Sequence, residues 1–341
     1  MKKFSVILTL VMVLSLLAGC AGTTVVYQTN CTCPVDTHDV VVEEAPAATE
    51  APVVAEGAVK TGLAIATFIN IDEEKAAASY DVTFVAVNVD DNGVITACKI
   101  DSLGSDVPFA DGALAPTVGE VKTKQELGYD YNMITYGGAK YEWFEQANFL
   151  AEFAVGKTVE ELKAGAVGET GYAQDADLAT SATIYLGGYV AAIEKAVANA
   201  AHLGASAGDE LKLASINKIG EDGGLTCDVV ALTLKDGVIT SCALDSLQAT
   251  LTVGEDGTVS AGNTLTKNGL GYDYNMITYG GAKYEWFEQA AGFAAYVTGK
   301  TPAEVAGIAV DESTHPTDAD LTASCTIAIG GFQGLIAKAN Q

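Results

Sequence analysis

No arginine occurs among the 341 residues, which removes the planar, two-pronged guanidinium that clamps phosphates and carboxylates. Positive charge is scarce altogether. Eighteen lysines face 44 Asp and Glu, a net charge of −26 that becomes −28 once Lys2 and Lys3 are removed. A field of that sign disfavours nucleic acid and anionic lipid surfaces as partners. Histidine is almost as rare: His38, His202 and His315 are the full complement. None has a counterpart in the internal repeat described below, which argues against a duplicated His-based catalytic or zinc centre. Of seven cysteines, only Cys98 and Cys242 are equivalent in that repeat, too few for a disulfide scaffold. The chain has no Walker loop, dinucleotide fingerprint or CxxCH haem motif. Its many carboxylates contain no pair that stands out as an acid–base couple.

Long apolar runs are also missing, apart from the uncharged stretch Phe4–Ala18 behind Lys2 and Lys3. At about 1.5 Å per residue it is too short to span a bilayer as a helix, and it reads as a secretory signal. Its ending, Leu17-Ala18-Gly19-Cys20, resembles a bacterial lipobox. That resemblance implies removal of residues 1–19 by the lipoprotein-processing machinery and a diacylglycerol thioether on Cys20. Residues 20–58 are rich in Ala, Val, Glu, Thr and Pro without sustained period, the composition of an extended tether. Cys31-Thr-Cys33 has the wrong spacing for the usual zinc or redox pairs and reads as exposed thiols or a local oxidised pair. The expected location is the extracytoplasmic face of a cell membrane, lipid-anchored, on a Gram-positive type of surface.

What is present in abundance is repetition. Leu127–Ala147, LGYDYNMITYGGAKYEWFEQA, returns unchanged as Leu270–Ala290, an offset of 143. Downstream, Asp177 and Thr183 recur at the same offset as Asp320 and Thr326; upstream, Gly93–Cys98 answers Gly237–Cys242. A period this long implies tandem modules, not a solenoid, and we place them at residues 59–203 and 209–341. Each opens with β-type alternation about a turn signal, Asn92-Gly93 or Asp236-Gly237. With two-residue turns, Val87 falls opposite Cys98 and Ala231 opposite Cys242, which makes these cysteines core residues. Trp143, Ala147, Leu150 and Ala154 then mark the apolar stripe of a helix, with Glu142, Glu145 and Gln146 off it. Thr158–Glu161 and Thr301–Glu304 are capping boxes, the second with Pro302 at the first helical position. A last helix is expected over about 184–198 and again over about 327–339. The fold class is α+β: a mainly antiparallel sheet with packed helices in each module.

The segment Asp177-Leu-Ala-Thr-Ser-Ala-Thr183, answered by Asp320-Leu-Thr-Ala-Ser-Cys-Thr326, holds more hydroxyl and carboxylate groups than helix capping requires. An oxygen beside a helix start lies near free N–H groups, where an anion is held without arginine. The heptad resembles the attachment motif of FMN-binding domains, in which a flavin transferase esterifies FMN through its phosphate to the last Thr. Thr123–Met133, Thr266–Met276, the Glu-Trp-Phe-Glu-Gln helix and the Gly-Lys-Thr cap resemble the same family, so the likeness covers nearly the whole chain. It implies covalent FMN at Thr183 and Thr326, with Asp177, Asp320, Thr180, Ser181 and Ser324 completing the motif. In the second copy Ala323 stands where the pattern has Ser or Thr. Tyr131, Tyr274, Met133 and Met276 read either as walls for an isoalloxazine ring or as core, as do Tyr129, Tyr136 and Tyr141; Trp143 and Phe144 read as core. Lys124 and Lys140 remain cation candidates, whereas Lys195, about 18 Å along a helix from Thr183, is out of reach.

The resemblance is to surface lipoproteins of flavin-based extracellular electron transfer, carrying two such modules. It implies an electron carrier between a membrane quinone or NADH dehydrogenase donor and external electron acceptors. The rival reading, from another class, is a solute-binding or adhesive lipoprotein without covalent cofactor. A third, release of Met12–Gly19 as a signalling peptide, concerns only the discarded segment.

Overall fold

Six long strands carry the β-branched and small residues of the two copies. They are β1 (Lys60–Asp72), β2 (Ala77–Val89) and β3 (Ile95–Ala110), then β4 (Glu210–Ile219), β5 (Leu225–Lys235) and β6 (Val238–Ala249). The computed structural model describes residues 57–341; the signal peptide, Cys20, Cys31, Cys33 and most of the tether lie outside the described residues. Each set of three strands is an antiparallel meander.

The turns show how alternation is read and misread. At Asn92-Gly93 the loop has three residues: Asp90 N–H donates to Val94 O at 2.9 Å, and the Asp90 carboxylate accepts from Val94 N–H at 2.8 Å. Only Gly93 takes a positive φ, 81°. A register shift beside Val89 absorbs the additional residue, so Val87 still faces Cys98. Asp236 and Gly237 form the expected two-residue turn, with φ of 51° and 77° and Lys235 opposite Val238. Beyond it, however, Thr240 bulges out between the Thr233–Ser241 and Leu234–Ile239 pairs, so Cys242 faces Leu232 and not Ala231. One extra residue exchanges the faces of everything after it.

Helices cover one face of each sheet. The first copy has α1 (Trp143–Ala154), α2 (Val159–Ala166), α3 (Ala176–Ser181) and α4 (Gly187–Ala198); the second has α5 (Trp286–Val297), α6 (Pro302–Ala306), α7 (Ala319–Thr322) and α8 (Gly330–Ala339). Both Thr–Glu capping boxes form, Pro302 included. The last helices start at Gly187 and Gly330, three residues later than the hydropathy pattern suggests, because a side chain described below takes up the backbone N–H groups just before them. Among the described residues no helix is long and apolar enough to cross a membrane.

Val85, Val87, Cys98 and Ile100 meet Trp143, Leu150 and Ile193 in one helix–sheet core; Val230, Leu232, Cys242 and Leu244 meet Trp286, Phe293 and Leu335 in the other. A third core joins the copies. Ile65, Tyr80, Val82, Phe84, Leu103 and Val107 pack against Leu211, Ile219, Leu225, Cys227, Val229 and Leu247, giving the layer order helix, sheet, sheet, helix. Cys227 lies there, paired in register with Leu247 and free of any disulfide. Buried hydroxyls fix the relation of the sheets: Thr61 Oγ1 lies 2.8 Å from Ser241 Oγ, and Tyr80 Oη donates to Gly223 O at 2.9 Å. Gly119 and Glu120 of the first copy add a short edge strand to β4 of the second, and Glu126 pairs with Lys338.

Candidate cofactor cleft

Gln146 organises the region around the first heptad. Its spacing from Trp143 (i+3) and to Leu150 (i+4) places it on the buried face of α1, and it is fully buried, contrary to the expectation that it lies off the stripe. A buried amide must find partners, and this one finds five. Its Oε1 accepts from Thr183 N at 2.8 Å, Thr183 Oγ1 at 3.2 Å and Ile184 N at 3.2 Å. Its Nε2 donates to Tyr141 O at 2.9 Å and Met133 Sδ at 3.4 Å. Gln289 repeats the pattern with Thr326 N at 2.9 Å, Thr326 Oγ1 at 3.0 Å, Tyr284 O at 2.9 Å and Met276 Sδ at 3.4 Å. The amides capped by glutamine are those of Thr183 and Ile184, so these residues stand before the last helix instead of inside it.

Glu142 is likewise buried, although the stripe puts it outside. Its carboxylate accepts from Met133 N at 2.7 Å and Ile134 N at 3.1 Å, and Glu285 does the same for Met276 and Ile277. Glu142, the residue that caps α1, and Gln146, one turn further on, therefore hold Met133 and Thr183 to the same helix. Both were legible only as polar letters inside the repeated segment.

Thr183 is exposed and adjoins an open cleft of about 800 Å³ lined by Tyr131, Met133, Trp143, Ile184, Tyr185 and Tyr189, with Phe68, Asp81 and Lys124 also contributing. That volume is in the range of pockets that bury a cofactor-sized ligand. Trp143 Nε1 donates to Tyr189 Oη at 2.9 Å. Thus Tyr131 and Met133 are wall residues, and Trp143, buried as expected, shows the cleft one edge. Tyr129 instead packs edge-on against Phe144 and Tyr141 against Phe149, while Tyr136 is 87% exposed. The second copy repeats Tyr274, Met276 and Trp286 but has Ala328 and Phe332 where the first has Tyr185 and Tyr189.

The rest of the heptad does not converge on the threonine. It forms α3 itself, capped by Asp175, whose carboxylate accepts from Asp177 N and Leu178 N; Asp318 serves α7 in the same way. Asp177 and Asp320 are exposed. Thr180 Oγ1 turns back to Asp177 O at 2.8 Å, and Ser324 Oγ to Leu321 O at 3.3 Å. Ser181 is partly buried in the last turn of α3. Leu178 and Leu321 are buried, so both pack inward. Ala182 and Cys325, just before the threonines, also point into the cores; burial pushes the Cys325 thiol up to about 11.

The carboxyl of Asp101, next to the cleft-lining Ser102, is electrostatically unusual. Burial pushes the Asp101 carboxyl up to about 6, although Thr123, Gln125 N–H and Ser102 N–H hydrogen-bond to it and act the other way. Asp245, its counterpart, is raised for the same reason. A carboxyl raised on folding stabilises the protein fully below its unfolded value near 3.8 and loses that contribution as pH rises through about 6. Stability should therefore fall between about pH 4 and 7, with Asp101 contributing on the order of 1–3 kcal/mol. Thermal melts of wild type and Asp101→Asn at both pH values check this: the substitution should flatten the slope, and an equally steep slope refutes the assignment. Asp90 and Asp311, held low by backbone N–H groups, titrate below this window.

No protein-family model, curated protein or solved structure matches the chain. Among the described residues, no group of three or more His, Cys, Asp or Glu could hold a metal ion.

Proposed function

We propose that the protein is a lipid-anchored, extracytoplasmic electron carrier holding one FMN per module, esterified through phosphate to Thr183 and Thr326. In this reading residues 59–203 and 209–341 are the two FMN-binding modules, tethered through Cys20. A bound flavin would supply the redox chemistry, an uptake of two electrons and one proton that would leave the ring with one negative charge. The donor is a membrane quinone or an NADH dehydrogenase, and the acceptor lies outside the cell.

The observation that carries this reading is the pairing of an exposed threonine hydroxyl, held by a buried glutamine, with an adjoining aromatic cleft of cofactor size. The residues fit the group. Tyr131, Met133 and Tyr189 offer flat, apolar walls, and Thr183 is open to a transferase. Lys140 Nζ donates to Thr180 O at 3.1 Å, which brings a cation to the attachment segment, where it would face the phosphate. The protein's part is to orient the hydroxyl, seat the ring and set its electrostatic surroundings.

The test is an intact mass on protein co-expressed with a flavin transferase. Two increments of FMN less water are expected, with flavopeptides spanning Thr183 and Thr326. Thr183→Val should remove one increment and leave the circular-dichroism spectrum unchanged. A colourless protein without any increment refutes the reading and leaves the solute-binding alternative.

A further inference from the structure

The cleft beside Thr183 has in its lining a lysine that lacks a counter-ion. Lys124 is only 9% exposed, yet no ion pair among the described residues includes it. It lines the cleft, with its ammonium 5.5 Å from the centre of the Tyr131 ring and 5.4 Å from that of Trp143. Its counterpart Lys267 is only half-buried, 5.3 Å from Tyr274 and 5.0 Å from Trp286, and also without an ion pair among the described residues. Burial holds the Lys124 amine below its usual range, against the opposing pull of Asp81 and Asp101, both too distant to form an ion pair.

Removing an ammonium from water costs several kcal/mol unless a partner replaces the water, and aromatic faces return only roughly 0.5–2 kcal/mol. A methionine would fill the same volume without that penalty. A buried, uncompensated charge in the lining of a cleft beside flat rings, with the lysine–aromatic contacts repeated in the second copy, implies that the missing partner arrives with a ligand. Lys140 already stands beside the heptad at Thr180 O, so the lysine in the cleft lining serves the part of the ligand seated between the rings.

We infer that Lys124 and Lys267 are the counter-charges for the negative charge that a bound flavin ring gains on reduction; the inference rests on the flavin reading above. The lysine keeps its proton throughout. The two electrons come from the donor and the single proton from solvent, and the lysine adds only opposing charge at short range. It thereby raises the potential of a cofactor that the acidic protein as a whole pushes down.

The experiment uses the full chain carrying Thr326→Val, so that only Thr183 is loaded, with and without Lys124→Met. In unloaded protein Lys124→Met should melt at the same temperature or higher, because it removes an uncompensated charge. In loaded protein it should give the same mass increment but a lower midpoint in a dithionite titration. The expected effect is a hundredfold shift toward the oxidised form, which for a two-electron couple is about 60 mV. Lys124→Arg, which keeps the charge, should restore the wild-type midpoint. Full loading with an unmoved midpoint overturns the inference and leaves the flavin reading intact, as does a markedly lower melting temperature of the unloaded variant, which makes the lysine structural. Absence of loading in the parent chain overturns both. If Lys124→Met does not fold, Lys124→Gln and Lys267→Met in the complementary Thr183→Val chain give the same comparison.

Discussion

Residues 59–203 expressed without the second half are expected not to yield a folded monomer. The face that β1–β3 turn away from their own helices carries Ile65, Tyr80, Val82, Phe84, Leu103 and Val107, each at most 2% exposed in the whole chain. All six are covered by the second sheet. Exposing them forfeits roughly 1.5–3 kcal/mol per large side chain, roughly 9–18 kcal/mol together. An entire domain is stable by only about 5–15 kcal/mol. Gel filtration of the half-protein should show aggregate or a dimer that reuses this face. A monomer with a cooperative thermal transition would contradict the packing described above. The consequence for redox work is direct: potentials of the two sites must be separated by Thr→Val substitution in the intact chain and not by cutting it.

Gln146→Leu is expected to destabilise the protein by about 2–4 kcal/mol and to abolish loading at Thr183 alone. Leucine matches the volume but removes the acceptor for two backbone N–H groups and the donor for Tyr141 O. Each buried group left without a partner costs about 1–3 kcal/mol, moderated because Thr183 borders solvent. The hydroxyl also loses the bond that fixes it, so a transferase meets a mobile acceptor. Gln146→Glu keeps an accepting oxygen and should retain part of the loading. Urea titration and peptide mass mapping read the two effects separately. Undiminished flavin at Thr183 in the leucine variant would show that the glutamine serves packing only.

What sequence reasoning reaches here, and where it stops, follows from the range of each interaction. Capping boxes at Thr158 and Thr301 are local, four residues in a row, and form as read. The register of β2 on β3 survives even a wrongly sized turn, because the bulge beside Val89 cancels the error. The bulge at Thr240 has no such compensation, and nothing in the strand's own alternation marks it. Its cause lies across the fold: Thr240 Oγ1 donates to Asp209 Oδ2 at 2.7 Å and lies 2.6 Å from Thr233 Oγ1. Gln146 was misjudged by polarity, although its spacing on the helix put it inside. The contacts that bury it, to Tyr141, Met133 and Thr183, come from three other segments. The mating of the two sheets was invisible, since strands buried on both faces and strands half-open to solvent differ only by a few extra apolar letters.

The shared sheet-to-sheet core also sets a schedule for making the protein. The first three strands are complete by Ala110, but their cover ends only at Ala249. At the usual 5–20 residues per second of synthesis, the intervening chain takes roughly 7–28 s to appear. During that interval Tyr80, Phe84 and Leu103 present an apolar sheet face with no mate, and a neighbouring nascent copy offers the same face. The hazard is greatest just when many chains emerge together. Until the second copy of the repeat has emerged, that face has no mate within its own chain, on whichever side of the membrane the chain folds.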